Sequence, residues 1–365
     1  MMVLKKNFKI TKELIKELIY ILILFIIPIL SFLLVKIGYI ERFSHEIFIL
    51  SLFCLIFFTR IEFILIFSLV AIITVIQIFF SNNFQYIVNF SILPLSVLFM
   101  TNTLIRKKIL NKVLKILVLY TFILTITDFF SGAFVEGGDR ISGPFTSSLH
   151  LSYFLVFLSL IITHSNMRAS VIFSLMIMII ISSFISGSRV ATICSIIFFL
   201  FFFYKQSTNY KIIAILILSI LFIGGLFNFL PTRGLSVIVE AEEVRIQGFI
   251  NFYHNLFLLQ PEQVIFGNSR YNYGALGFRL NDSVFITESS FIMLIYSYGL
   301  ILGFFFAFAV ILKFLSLNEV NIFLRLLLIA CFVFSPFFDS PSLSVINLTL
   351  LFFAFPFKYK FKIKY

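Results

Sequence analysis

Long apolar runs separated by short polar breaks dominate this chain. Runs long enough to cross a bilayer, or nearly so, fall at about 18–38, 46–59, 61–80, 84–103, 113–130, 149–164, 170–186, 190–204, 212–230, 289–315, 321–336 and 342–357. A transmembrane helix needs about 20 apolar residues. Backbone groups in lipid have to be satisfied within their own segment, which selects helix. The pattern therefore predicts an all-α, polytopic integral membrane protein with about 12 transmembrane helices. The second, eighth and twelfth runs are short, so the expected range is 10–12. No repeat or linker divides the chain, and residues 1–365 read as one membrane domain. Two polar segments exceed turn length, 131–148 and 231–288, and the second reads as a large extracytoplasmic loop within that domain.

Composition agrees with the pattern. Of the 365 residues, 61% are hydrophobic and 12% charged, more apolar surface than a soluble domain of this size can hide. The 54 Phe are read in part as the mark of an AT-rich coding sequence, so no single Phe is given functional weight. Cys54, Cys194 and Cys331 all lie in apolar runs, which leaves neither a disulfide framework nor a zinc site. The N-terminal "MMVLKKNFKITKELIKEL" has the basic flank of a signal peptide. A long apolar run without a small-residue cleavage site follows, which reads as a retained first helix.

Charge orients the helices. With the N-terminus placed in the cytoplasm, the inside segments hold 20 of the 28 basic residues, as the positive-inside rule expects. Both termini then face the cytoplasm, in a multi-pass protein of the cytoplasmic (inner) membrane. The net charge of +12 is mostly topogenic, which argues against nucleic acid as a partner. The kind of base differs across the membrane. Inside, lysines outnumber arginines 16 to 4; outside, arginines lead 7 to 1. Arginine grips phosphate oxygens in pairs, whereas lysine is a point charge. Outside arginines also oppose the topology rule, so they read as ligand-binding groups. Salt bridges to Glu240, Glu242, Glu243 and Asp282 are the competing explanation.

Several constellations could carry chemistry. In "FISGSRVATIC" a Ser-Gly-Ser turn precedes Arg189, with Ser186 or Ser188 placed to cap the next helix. Free backbone donors beside a guanidinium make an anion site; a snorkelling interfacial arginine is the alternative, and this stretch alone leaves both open. Residues 240–258 read as an amphipathic helix with Glu243, Gln247, Asn251, His254 and Asn255 as its polar stripe. Arg245 falls on the apolar face, between Phe249, Phe252 and Leu256. Further on come Arg270, Arg279, Asp282 and Glu288. Glu288 reads either as a carboxylate at the outer membrane surface, its pKa raised by partial burial, or as a helix N-terminal acid with Thr287 as cap. Arg140 lies beside Asp139, ahead of a Gly143-Pro144 turn. His45, His150 and His254 lack metal-ligand spacing, and His254 is a loop polar residue first and an acid/base candidate second. No P-loop, GxGxxG or metal-binding carboxylate pair occurs in the cytoplasmic segments. No apolar run carries a charge near its midpoint, which disfavours transport.

Taken in order, an Arg-x-x-Gly-Pro-Phe segment, a "SGSR" turn opening a later helix, a long outside loop with an early arginine in an amphipathic helix, an "IFGNS" turn and a final "YSYGLILG" resemble the O-antigen ligase and polymerase superfamily. The resemblance covers about 130–305. It implies that Arg189 and Arg245 bind the pyrophosphate of an undecaprenyl-linked glycan. Family ligases carry a His-Asn pair just before the helix that follows the loop. Here that place reads "TESS", with Glu288, which favours polymerase over ligase. "IFGNS" also lacks the second glycine of the usual Gly-x-Gly.

The expected function is a membrane glycosyltransferase that polymerises undecaprenyl-pyrophosphate-linked repeat units into O-antigen, capsule or exopolysaccharide chains. Arg189 and Arg245, with Arg140 or Arg279, would stabilise the departing pyrophosphate, so no metal and no cofactor is implied. Glu288 is the first candidate for the base, with Asp282 and His254 in reserve. The lipid-linked oligosaccharide and a chain-length regulator protein are the expected partners. An O-antigen ligase acting on lipid A core, and a lipid-linked oligosaccharide flippase, are the alternatives.

Overall fold

The structure, a computed structural model, describes residues 107–132, 141–145, 148–204, 261–266 and 289–334, with positions 14, 15, 18, 22, 26, 30, 33, 34, 37, 212, 215, 216, 219, 250, 347, 351 and 354. Every element among these residues is a helix. They are α1 (Lys107–Ser131), α2 (Ser148–Thr163), α3 (Ala169–Ile185), α4 (Arg189–Tyr204), α5 (Pro261–Phe266), α6 (Ser290–Leu315) and α7 (Ile322–Phe334). Apart from the short α5, each matches an apolar run of the sequence to within two residues at either end, except that α1 starts six residues before its run. The runs expected at 18–38, 46–59, 61–80, 84–103, 212–230 and 342–357 lie outside the described residues except for isolated positions. Among the described residues one helix, Ile109–Ser131, is long and apolar enough to cross a membrane; five apolar helices are shorter, at 10–17 residues.

α2 is the centre of the packing. Leu151, Phe154, Val156, Phe157, Leu158 and Ile162 are all fully buried, although they point in every direction around the helix. A helix that is apolar all round belongs inside a bundle. α3 and α4 pack against α2 and against each other, and α1 packs on α3. Phe157 meets Phe314 of α6 at 6.4 Å between ring centroids. α1 lies at the edge and leaves Ile116, Leu119 and Ile123 exposed.

The apolar run at 289–315 was expected to be one span, but the structure folds it in two. Gly299 has φ 78° and ψ 172°, outside the helical region. A methyl group built on Gly303 would meet the Cα of Ile295 at 2.4 Å and the carbonyl oxygen of Leu294 at 2.6 Å. Residues eight apart in a straight helix are separated by about 12 Å. The arm before Gly299 therefore folds back on the arm after it. Gly299 supplies the left-handed backbone, which costs a side-chain-bearing residue about 1–2 kcal/mol. Gly303 supplies the room for two backbones to touch. Phe291 and Phe304, one from each arm, close the hairpin edge to face at 5.7 Å.

Charged residues near the other end of α6 have structural tasks. Arg325 donates from Nε to the carbonyl of Val320 at 2.8 Å and from Nη1 to that of Leu315 at 2.7 Å. It thereby satisfies a carbonyl of the last turn of α6, which would otherwise lack an intrahelical partner. Lys313, one of the basic residues counted on the inside, is 3% exposed. Its place in the last turn suits the negative end of the helix dipole. Cys194 on α4 and Cys331 on α7 are free thiols whose sulfurs lie 3.7 Å apart.

The two close glycine contacts differ in what can yield. At Gly303 the obstacle is backbone. At Gly143, with φ 55°, it is the Thr125 side chain at 2.7 Å. Gly303→Ala is expected to lower the thermal unfolding midpoint more than Gly143→Ala. The first incurs an overpacking cost of about 1–3 kcal/mol or more, and the second about 1–2 kcal/mol from the left-handed backbone. A continuous α6 would leave Gly303→Ala near neutral in the same measurement.

Candidate functional site

The Ser-Gly-Ser turn is built as its residue types dictate. α3 ends at Ile185, Ser186 is its C-cap in the right-handed region, and Gly187 turns the chain at φ 70°. Ser186 Oγ donates to the carbonyl of Ser183 at 2.7 Å, satisfying one of the last carbonyls of α3. Ser188 then starts α4: its Oγ accepts from the N–H of Ala191 at 3.3 Å. Its carbonyl accepts from the N–H of Thr192 at 3.1 Å and from Thr192 Oγ1 at 2.8 Å. Of the two serines expected to cap, Ser188 is the one that does. Arg189 is the first residue of α4. The N–H groups of Arg189 and Val190 belong to the first turn, which has no intrahelical acceptors and where helices receive anions.

The packing fixes how deep this turn lies. Short connections join α2 to α3 and α3 to α4, and all three helices are in mutual contact, so α2 and α4 run parallel. Ser159 of α2 and Ser195 of α4 share a hydrogen bond of 2.8 Å. Counting back from that pair sets the start of α4 opposite Tyr153, about 8 Å below the start of α2. The N-terminus of α4 is thus recessed.

At the same depth the chain runs non-helically through the interior. Ile141, Ser142 and Phe145 are 0% exposed. Phe145 N–H bonds the carbonyl of Ser142 at 3.1 Å, and its ring packs edge to face on Phe154 of α2 at 5.2 Å. The Cβ position of Gly143 faces Thr125 of α1 and Leu151 of α2. Within the polar segment 131–148, the Ile141–Phe145 portion is a buried plug wedged between α1 and α2. Irregular backbone is tolerated at such a place only when protein encloses it. Hydroxyls line the surrounding helices: Thr121, Thr125, Ser148, Ser152, Ser182 and Ser183 are all buried. His150, in the first turn of α2, is 3% exposed.

α6 corrects one expectation about Glu288. The cap is Ser289, not Thr287. Ser289 Oγ accepts from Ile292 N–H at 3.3 Å and donates to the carbonyl of Val333 in the last turn of α7 at 2.5 Å. The first turn of α6 holds no acid, so Glu288 precedes the cap and is not the dipole-favoured first-turn residue. Ser289 and Ser290 are buried, so the chain enters the core immediately after Glu288. α5, with Pro261 at the first helical position where its missing N–H costs nothing, packs on α6.

Glu288, Asp282, His254, Arg140, Arg245 and Arg279 lie outside the described residues, as does the expected amphipathic helix that carries Arg245. Of the expected site, the structure describes the backbone of Arg189, the plug that follows Arg140 and the cap that follows Glu288. Sequence reasoning did not find the plug, the serine contacts between helices or the hairpin. The four-residue spacing of Ser148 and Ser152, of Ser159 and Thr163, and of Gly299 and Gly303 is the signal that could have found them. Among the described residues no three or more His, Cys, Asp or Glu side chains gather as a metal site.

No family model matches the chain, and no curated protein or solved structure matches it either.

The cap gives a direct check on the turn. Ser188→Ala should cost about 0.5–2 kcal/mol of stability and Ser188→Asp close to nothing, since aspartate caps as well as serine. Thermal unfolding of the two variants measures this; equal midpoints for Ala and Asp would show that the hydroxyl does not cap α4.

Proposed function

We propose that the chain is an integral membrane glycosyltransferase that polymerises glycan repeat units carried on undecaprenyl pyrophosphate, at the outer face of the cytoplasmic membrane. The observation that carries the reading is the recessed, serine-capped N-terminus of α4 with Arg189 as its first residue, level with the buried Gly-Pro plug that follows Arg140. An anion drawn there meets helix N–H groups at a partly buried turn, where each hydrogen bond to it is stronger than in open water. The order of motifs along the sequence supplies the substrate class.

The reaction is an exchange at the anomeric carbon. A sugar hydroxyl of the acceptor unit attacks that carbon, and the bond from it to the pyrophosphate oxygen breaks. The hydroxyl proton passes to a base, and undecaprenyl pyrophosphate departs with the electron pair. Arg189 and Arg245, with Arg140 or Arg279, neutralise the charge that grows on the leaving group. Glu288 takes the proton. Its place just before the Ser289 cap, where the chain dives into the core, suits a carboxylate that loses water on one side and so becomes a better base.

Arg189→Lys keeps the charge and loses the bidentate fork, so polymerisation in vitro should fall strongly while protein level holds. Arg168→Gln, an exposed position at the start of α3 with no capping hydrogen bond, should leave chain length unchanged. Full activity in Arg189→Ala would reduce Arg189 to an anchor. Glu288→Gln should slow polymerisation by about 10²–10⁴-fold and leave single-repeat glycan in cells. Normal chains from purified Glu288→Gln would pass the role to Asp282 or His254.

A further inference from the structure

Cys194 and Cys331 sit in separate apolar runs, and the sequence alone does not join them. In the fold, 137 residues apart along the chain, their sulfurs lie 3.7 Å from each other. Both are free thiols and both are buried. A second contact shows that this meeting follows from the packing of whole helices. Phe201 of α4 stacks on Phe323 of α7 at 5.6 Å between ring centroids. The two contacts are seven residues apart on α4 and eight apart on α7, about 10 and 12 Å, in opposite chain directions. α4 and α7 therefore lie side by side and antiparallel, with the thiols facing each other. Bonded sulfurs are about 2.0 Å apart, so a disulfide here requires the pair to draw in by about 1.7 Å.

The position gives such a bond a consequence. Cys194 follows Arg189 by five residues on the same helix, about 7.5 Å along it. Cys331 precedes Val333 by two residues, and the carbonyl of Val333 accepts from Ser289, the cap that follows Glu288. The pair thus spans the two sides of the proposed site: the anion turn on α4 and the segment that places the carboxylate. Drawing α7 toward α4 moves the Ser289 cap relative to Arg189. Leu326, Ala330 and Phe334 are exposed at four-residue spacing and form an apolar outward stripe on α7. Cys331 adjoins that stripe, so a lipid-soluble oxidant approaches it from the side without crossing water.

The geometry points to a redox clamp: a membrane quinone oxidises Cys194 and Cys331 to a disulfide, and the bond slows glycosyl transfer. Both S–H bonds break and one S–S bond forms. The two protons and two electrons pass to the quinone, which becomes the hydroquinone. A dithiol reductant returns them to the sulfurs and opens the clamp. The effect on transfer rests on the glycosyltransferase reading given above; the bond itself does not.

Thiol counting by maleimide mass tagging of the denatured full-length protein tests the bond, with a short-chain ubiquinone as the probe. Wild type, which has three cysteines, should show three thiols under reductant and one after the quinone. Cys54→Ser should go from two to none, and Cys331→Ser should keep its two. Polymerisation in vitro by wild type should fall by about 10²-fold on oxidation, the loss that a misplacement of about 1 Å brings. Dithiothreitol should restore it, and Cys331→Ser should be indifferent to the quinone. Three tagged thiols in quinone-treated wild type overturn the proposal, and so does an oxidised protein that polymerises at the reduced rate. Failure of the transferase reading looks different: the reduced protein does not polymerise, while the thiol count still falls from three to one.

Discussion

The hydrogen bond between Ser159 and Ser195 sets the register on which the rest of the bundle depends. Both hydroxyls are fully buried. Ser159 Oγ donates its proton to the carbonyl of Leu155 at 2.7 Å, so Ser195 is the donor in the pair, and Ser183 approaches Ser195 at 3.5 Å. A hydroxyl left without a partner in such a place costs about 1–3 kcal/mol. A slip of α4 along α2 by one turn would separate the pair and incur that cost, whereas the apolar contacts around it could be remade. The pair thus fixes what the phenylalanines alone leave free: the axial position of α4, and with it the depth of Arg189.

The same demand governs each break in the helices. Backbone groups removed from water need partners, and at several described helix ends side chains supply them. At 186–188 two serines and a positive-φ glycine complete the end of α3 and the start of α4. At 141–145 a turn closes on itself and is sealed by Phe145 against Phe154. At Ser289 one hydroxyl serves both the first turn of α6 and the last turn of α7. Gly299 breaks α6 without a cap, and one arm of the helix folds onto the other.

Helix positions were legible in the sequence because they follow from apolar run length, which varies little with context. The Ser-Gly-Ser turn was legible for a similar reason, since capping and positive φ are local requirements. The fate of 141–145 was not. Its polar and small residues read as an outside segment, yet it is buried against α1 and α2, where a Cβ on Gly143 would press on Thr125. The fold in α6 was hidden in another way. Gly299 and Gly303 sit in an unbroken apolar run, and hydropathy does not distinguish a straight helix from a hairpin. For the candidate site, residue types and order along the chain were readable. Depth was not, because depth comes from contacts between α2 and α4 far apart in sequence.

The recessed turn also bears on the choice between anchor and ligand site for Arg189. A cation in the first turn opposes the helix dipole, at a cost of roughly 0.3–1 kcal/mol for an exposed helix end. α2 runs parallel to α4, so its positive end lies on the same side and adds to the unfavourable field. An anchoring arginine would relieve that field by reaching water or lipid head groups, which is simplest from a helix that protrudes. α4 does not protrude; its start lies about five residues, or roughly 8 Å, below that of α2. Depth, dipole and charge all become favourable together once an anion occupies the turn.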